Sequence, residues 1–345
     1  MLRRLMIWLL LATVTGLLVW GLKAQDVPAA LLLGPLLAGI GFALSGAGAR
    51  VPKSALLVAY TIVGCLVAVA LGRAMGSEML MRLPLLLTVA MVTLLIGTAL
   101  GWLLARGGWF SGTSAIWGLA PGGAAGMVAL AHEYGGDGRM VAVMQYLRIL
   151  TVTGSSIALA HFLSGQTVPM HGAGWFPPLD AWGLGETAAL ALAGAVVARF
   201  LRFPSSAFLV PGLLGAGLMA LGFARPSVPP LLAAAAYAII GWNIGLSFTR
   251  ETLAGCVRAL PRIMAATVAL IVLCALLGLA VSALCGVDFL TGYLATTPGG
   301  IDAILIIGAT VPVDLPFILS AQVVRVLLVL LLGPALATYV ARRLT

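Results

Sequence analysis

Apolar runs of 17 to 28 residues follow one another along the whole chain, parted by short clusters of Arg, Lys, Asp, Gly and Pro. Each is long enough, as a helix, to cross a hydrocarbon layer of roughly 30 Å. The predicted helical segments of the first half are 5–22, 28–44, 54–75, 83–105, 113–131 and 139–163. Those of the second half are 181–200, 207–223, 229–248, 262–285, 291–309 and 313–340. Residues 164–179 hold three prolines, one histidine (His171) and no Lys or Arg, so they read as the connection between halves. Arg3, Arg4 and the apolar run after them could open a signal peptide. A counterpart to that run in the second half favours a retained helix.

Two places break the apolar pattern in the same way. Pro121-Gly122-Gly123 interrupts one segment, and Gln145 and Arg148 follow inside the next. Pro298-Gly299-Gly300 interrupts another, and Gln322 and Arg325 follow at the same spacing. The second set lies 177 positions after the first, and the same ungapped shift pairs Tyr60 with Tyr237, Arg73 with Arg250, Pro84 with Pro261, Gly101 with Gly278 and Asp137 with Asp314. Matches of Leu or Ala carry little weight in so apolar a chain; matches of Tyr, Arg, Pro, Gln and Asp at one offset establish a duplication. The expected division is a first membrane repeat over 1–163, the connecting loop over 164–179 and a second membrane repeat over 180–345.

Basic residues set the expected topology. If all six segments of each half cross fully, Lys and Arg divide 8 against 9 between the two sides. If the two Pro-Gly-Gly segments instead dip in and return, the division becomes 13 against 4, the minority being Lys23, Arg73, Arg82 and Arg225. The positive-inside rule prefers the second arrangement. Five crossings is an odd number, so the halves are expected to be inverted: an all-α polytopic membrane protein of two inverted repeats, each with about five transmembrane helices and one re-entrant, broken segment. The expected location is a bacterial inner membrane, multi-pass, with both termini cytoplasmic.

Composition agrees with this. Of 345 residues, 62% are hydrophobic and 8% charged, and the mean hydropathy is +1.14; a soluble domain carries about 25% charged residues. The net charge of +9 sits singly or in pairs at the ends of apolar runs, which speaks against a nucleic-acid partner. Cys65, Cys256, Cys274 and Cys285 show no CxxC spacing, and His132, His161 and His171 are scattered, so no metal centre or other cofactor is expected.

The candidate site is the repeated element itself. A break at Pro-Gly-Gly frees backbone groups and can aim a helix N-terminus, with roughly half a positive charge, into the membrane. Arg148 and Arg325 lie near the middle of their helices, where a charge costs at least about 2.5 kcal/mol. Gln145 and Gln322 stand one turn earlier on the same face. One reading makes Pro121, Gly122, Gly123, Gln145, Arg148, Pro298, Gly299, Gly300, Gln322 and Arg325 a cage for an organic anion. The other makes the arginines structural, pairing with Asp302 or Glu133 or capping carbonyls freed at the breaks. Asp302, with Ala125 as its counterpart, and Glu133 are the candidates for binding a coupling H⁺ or Na⁺; Asp302 could equally neutralise an arginine. Asp137 and Asp314 are expected to start the helices that follow them.

At Ala120-Pro-Gly-Gly-Ala with Gln145-Tyr-Leu-Arg148, and Thr297-Pro-Gly-Gly-Ile-Asp302 with Gln322-Val-Val-Arg325, the chain resembles the AbrB family of bacterial membrane proteins. The resemblance runs over nearly the whole length. It implies a duplicated membrane domain, and members are labelled as transcriptional regulators or as ammonia monooxygenase-like. An oxygenase would call for clustered His and carboxylate ligands, and a direct regulator for a soluble DNA-reading module. Neither pattern is in this sequence.

The expectation is therefore a secondary transporter for a small, carboxylate-type organic anion, working by alternating access with H⁺ or Na⁺ in a lipid bilayer, and not an enzyme. A membrane-embedded regulator that affects gene expression indirectly is the alternative, and an integral-membrane oxidoreductase stands third. A homodimer is compatible with such a chain.

Overall fold

The computed structural model describes residues 2–25, 27, 30–46, 49–74, 81–108, 110, 113–122, 124–164, 180–200, 206–299, 307 and 311–341. Among them every regular element is helical. In chain order these are α1 (Leu2–Ala24), α2 (Ala30–Leu44), α3 (Lys53–Ala74), α4 (Leu83–Arg106), α5 (Ser114–Leu119), α6 (Ala124–Glu133) and α7 (Gly138–Ser164). The second half supplies α8 (Ala181–Phe200), α9 (Ser206–Ala220), α10 (Pro230–Gly245), α11 (Arg250–Cys285), α12 (Phe289–Thr296) and α13 (Leu315–Ala341). Five of these are long and apolar enough to span a membrane: α1, α4, α7, α11 and α13. Leu9, Leu17, Trp20, Phe162, Leu276 and Leu279 are exposed along them, as lipid-facing side chains would be. The protein is a multi-pass, all-α membrane protein.

One segment keeps its predicted helix despite an internal proline, and another differs from the sequence expectation. Gly34-Pro35 does not break its helix; α2 runs through Pro35. The proline ring is accommodated because α10 presents Gly241 to it, where a β-carbon would stand 2.8 Å from Pro35 Cβ. The difference is α11, which starts at Arg250 rather than 262 and passes through Pro261. Thr249 caps it, its Oγ1 accepting from the Thr252 amide at 3.1 Å, and Glu251 lies in the first turn where an anion is favoured. Charged Arg250, Arg258 and Arg262 made this stretch look like a loop, but they punctuate a helix.

The chain forms two compact units, and each draws one segment from either half. One comprises 1–73 with 173–258, the other 74–172 with 259–345. In the first unit, small residues let helices from different halves approach closely. Gly39 of α2 meets Gly245 of α10, a β-carbon on Gly39 lying 3.0 Å from Gly245 Cα. In the matching pair, Gly64 of α3 faces the Phe208 carbonyl and Pro211 of α9 at 2.5 and 2.6 Å from its would-be β-carbon. Thus α2 packs on α10 and α9 on α3, an exchange between halves. Trp242 of α10 also donates from Nε1 to Thr15 Oγ1 of α1 at 2.8 Å.

The second unit repeats the exchange. Its helix α7 packs with α11 around buried Met144, Ile263 and Ala266, and α4 packs along α13. The short helix α5 lies on α4, and α12 on α11. Gly101 and Gly278 are the matching contact points: added β-carbons would stand 2.8 Å from Ile116 Cα and 2.8 Å from Tyr293 Cα. Tyr293 belongs to a core with Leu290, Leu294 and Ile318. Helices this apolar gain little from burying hydrocarbon in lipid, so close backbone packing through small residues supplies much of the specificity.

Candidate functional site

Both Pro-Gly-Gly breaks lie in the second unit, and each begins where a residue before proline is driven out of the helical region. Ala120 sits at φ −58°, ψ 128°, and Thr297 at φ −74°, ψ 134°. Each proline is then bridged by a tight turn. The Gly122 amide donates to the Ala120 carbonyl at 2.9 Å, and the Gly299 amide to the Thr297 carbonyl at 2.8 Å. Helices α5 and α12 therefore end inside the protein, their last carbonyls left without helical donors.

Proline has no N–H, so the carbonyl four residues before it loses its helical partner. Those carbonyls belong to Trp117 and Leu294. In each case the glutamine from the following long helix supplies the missing donor: Gln145 Nε2 lies 2.7 Å from Trp117 O, and Gln322 Nε2 lies 2.7 Å from Leu294 O. The same two amides reach Ala120 O at 3.1 Å and Thr297 O at 3.0 Å. The constant distance between the proline and glutamine motifs follows from this replacement.

The arginines complete the arrangement. Arg148 Nη1 donates to Ala120 O at 2.6 Å, and its Nη2 reaches Gly122 O at 3.4 Å. Arg325 Nη1 lies 3.2 Å from Thr296 O and 3.1 Å from Thr297 O, and its Nη2 donates to Gln322 Oε1. Both guanidiniums sit on helix C-termini, the negative end of the dipole. They are 2% and 3% exposed, which makes each a buried cation held by neutral carbonyls. They lie within electrostatic reach of each other and of the buried Cys274 thiol. Among the described residues neither forms an ion pair with a carboxylate. The Nε–H of each is buried without a partner, as are Gln145 Oε1, Thr297 Oγ1 and Trp117 Nε1.

Side chains around the breaks hold the site in place, among them Asp137 and Asp314, which start α7 and α13 as expected. The Asp137 amide donates to Ser114 Oγ at 2.8 Å, and at the matching positions the Asp314 amide donates to Thr291 Oγ1 at 3.0 Å. Asp137 and Asp314 then cap α7 and α13 through the Arg139 and Phe317 amides, at 2.9 and 3.0 Å. Thr296 donates to the Cys274 carbonyl at 2.8 Å, and the counterpart of Cys274 is Gly97, close against Leu119 O. The constant 177-residue shift contained the signal for Ser114 and Thr291, both hydroxyl residues ahead of matched aspartates. Nothing in the sequence singled out Cys274 or Trp117.

Of the candidate site residues, the structure brings together Pro121, Gly122, Gln145 and Arg148 at one break and Pro298, Gly299, Gln322 and Arg325 at the other. Gly123, Gly300 and Asp302 lie outside the described residues. Glu133 is exposed at the end of α6.

Comparison with known proteins follows the same outline. The family described as Transition state regulatory protein AbrB matches residues 31–341. The chain is 39% identical over 337 residues to "Putative regulator AbrB" of Escherichia coli (strain K12), covering 97% of this chain and 96% of that protein. It is 28% identical over 243 residues to "Uncharacterized protein YhjN" of Bacillus subtilis (strain 168), covering 63% of this chain and 60% of that one. No solved structure matches it.

Proposed function

The chain belongs to the AbrB family, and on that premise we propose that it is a secondary transporter for a small organic anion of the carboxylate type. The observation that carries the reading is the pair of buried guanidiniums at matched helix breaks, each with an unused Nε–H and no described carboxylate partner. A buried cation facing only neutral dipoles is left short of counter-charge. A small anion between Arg148 and Arg325 supplies it, and a guanidinium fork suits a carboxylate. The duplicated, broken elements support alternating access, because carriers commonly place their sites where such repeats meet. The driving ion in this reading is H⁺ or Na⁺, with Asp302 and Glu133 as its candidate ligands. The protein sits in the bacterial inner membrane with both termini cytoplasmic, an orientation favoured by the distribution of Lys and Arg.

The test is a thermal-shift screen of the purified protein against carboxylates, phosphonates, sulfonates and cations, followed by uptake into vesicles. A ligand at 100 times its Kd stabilises the folded state by about 2.7 kcal/mol. Carboxylates should raise the unfolding temperature, and Arg148→Ala and Arg325→Ala should abolish the shift. The reading falls if neutral or cationic compounds shift the protein and no anion does.

The printed names of the family and of the Escherichia coli relative favour a second reading, a regulator in the membrane. In that case the bound anion changes contacts with a partner protein, and gene expression responds indirectly. Ligand binding without uptake into vesicles would favour it over transport.

A further inference from the structure

We propose that the ligand is a 2-hydroxycarboxylate, read by Arg148 and Gln145 as a pair; this rests on the anion-carrier reading. The two breaks differ in one respect. In the second half the acceptor oxygen of Gln322 is taken by Arg325 Nη2. In the first half Arg148 spends its Nη groups on the Ala120 and Gly122 carbonyls, and Gln145 Oε1 is left buried and unpartnered.

The amide of Gln145 cannot turn over to hide that oxygen. Its Nε2 faces two carbonyls, Trp117 O and Ala120 O, so a flipped amide would place oxygen against oxygen at both. The first half therefore offers an unused fixed acceptor, Gln145 Oε1, and an unused donor, Arg148 Nε–H, from side chains three residues apart on one helix. Gln145 and Arg148 hold the same spacing on α7 as Gln322 and Arg325 on α13, where amide oxygen and guanidinium are bonded to each other. Gln145 is 0% exposed and Arg148 is 2% exposed.

A plain carboxylate answers the guanidinium and leaves the amide oxygen without a donor. A buried acceptor in that state is costly. A hydroxyl on the carbon next to the carboxylate answers both groups at once: the carboxylate accepts from Arg148 Nε–H, with Arg325 Nε–H as a second donor, and the hydroxyl donates to Gln145 Oε1. An ammonium at that carbon would also donate, but would add a third positive charge near two guanidiniums. The hydroxyl is the neutral solution.

The experiment uses the full-length protein in proteoliposomes with 2-hydroxypropionate, propionate, 2-methoxypropionate and 2-aminopropionate, read by uptake and by thermal shift. The methoxy compound keeps an oxygen at that carbon, loses the donor and adds a methyl group, while propionate lacks the hydroxyl without any added bulk. The expected result is a preference for 2-hydroxypropionate of about tenfold or more over each of the others, and loss of that preference in Gln145→Met. Should Gln145→Met fail to fold, the ligand series on the unaltered protein decides alone. Equal handling of propionate or the methoxy compound, or a preference for 2-aminopropionate, overturns this inference and leaves the anion-carrier reading standing. If none of the four is bound or transported, this inference falls, and the wider anion screen decides the carrier reading separately.

Discussion

Arg148 donates from Nη1 to the carbonyl oxygen of Ala120 at 2.6 Å, across the break within its own half. Arg325 makes the corresponding contact with Thr297 at 3.1 Å and adds a bond to Gln322 Oε1. A lysine at either place keeps a charge and gives up the fork. Arg325→Lys loses an internal bond that Arg148→Lys does not have to lose, so it should destabilise the protein more, by about 1–3 kcal/mol. Arg148→Lys should instead show its main effect as loss of anion-induced stabilisation. Unfolding temperatures with and without a bound carboxylate check both, and the reverse ranking would contradict the division of labour between the two arginines.

The glutamines replace an N–H that proline cannot provide, and this makes a coupled prediction. Gln322→Leu should cost about 1–3 kcal/mol, because the Leu294 carbonyl is left buried and unpaired. In a Pro298→Ala background, residue 298 has its own amide to offer Leu294, so the same substitution should cost about 1 kcal/mol less. A double-mutant cycle on thermal or denaturant unfolding measures the coupling. Strict additivity would mean that the proline and the glutamine are not partners.

Gly101 and Gly278 test whether the two halves are built alike. A β-carbon at Gly101 would meet Ile116 Cα at 2.8 Å, and one at Gly278 would meet Tyr293 Cα and N at 2.8 Å. Backbone cannot move aside as a side chain can, so Gly101→Ala and Gly278→Ala should each destabilise by about 1–3 kcal/mol. Gly16 and Gly217 have open space around them and serve as controls expected to change stability little. Melting temperatures in detergent read out all four.

Much of this protein could be read from its sequence because polar and conformationally special residues are rare in it. Pro121, Gly122, Gln145 and Arg148 stood out against an apolar background, and their copies at Pro298, Gly299, Gln322 and Arg325 gave the duplication. What the residues do to one another was less accessible. Gln145 was read as adding donors and acceptors for a ligand; that its Nε2 also fills a gap in the hydrogen bonding of α5 was hidden, because the vacant carbonyl lies 28 residues earlier in the chain. The exchange of α2 and α9 between halves left no trace in the pattern either. A helix apolar on every side gives no sign of which face meets which neighbour, and only close approaches such as Gly39 to Gly245 decide it.

Asp137 gives a prediction in pH, since it lies in the turn before α7. Its carboxylate accepts from the Arg139 amide at 2.9 Å and from Arg139 Nε at 3.0 Å. Burial alone would raise its pKa, but the hydrogen bonds and charge of Arg139 outweigh burial and hold the carboxyl below the ordinary aspartate range. The unfolded chain therefore binds this proton more readily than the folded one. The stability so contributed is complete above the unfolded value of about 3.9 and is lost as pH falls through the lower folded value. Asp137→Asn keeps an oxygen for the helix cap and removes the titration. The wild-type protein should exceed the variant in unfolding temperature at about pH 6, and the gap should close towards about pH 3. A gap that stays constant over that range would show that the charge of Asp137, as distinct from its hydrogen bonds, contributes nothing.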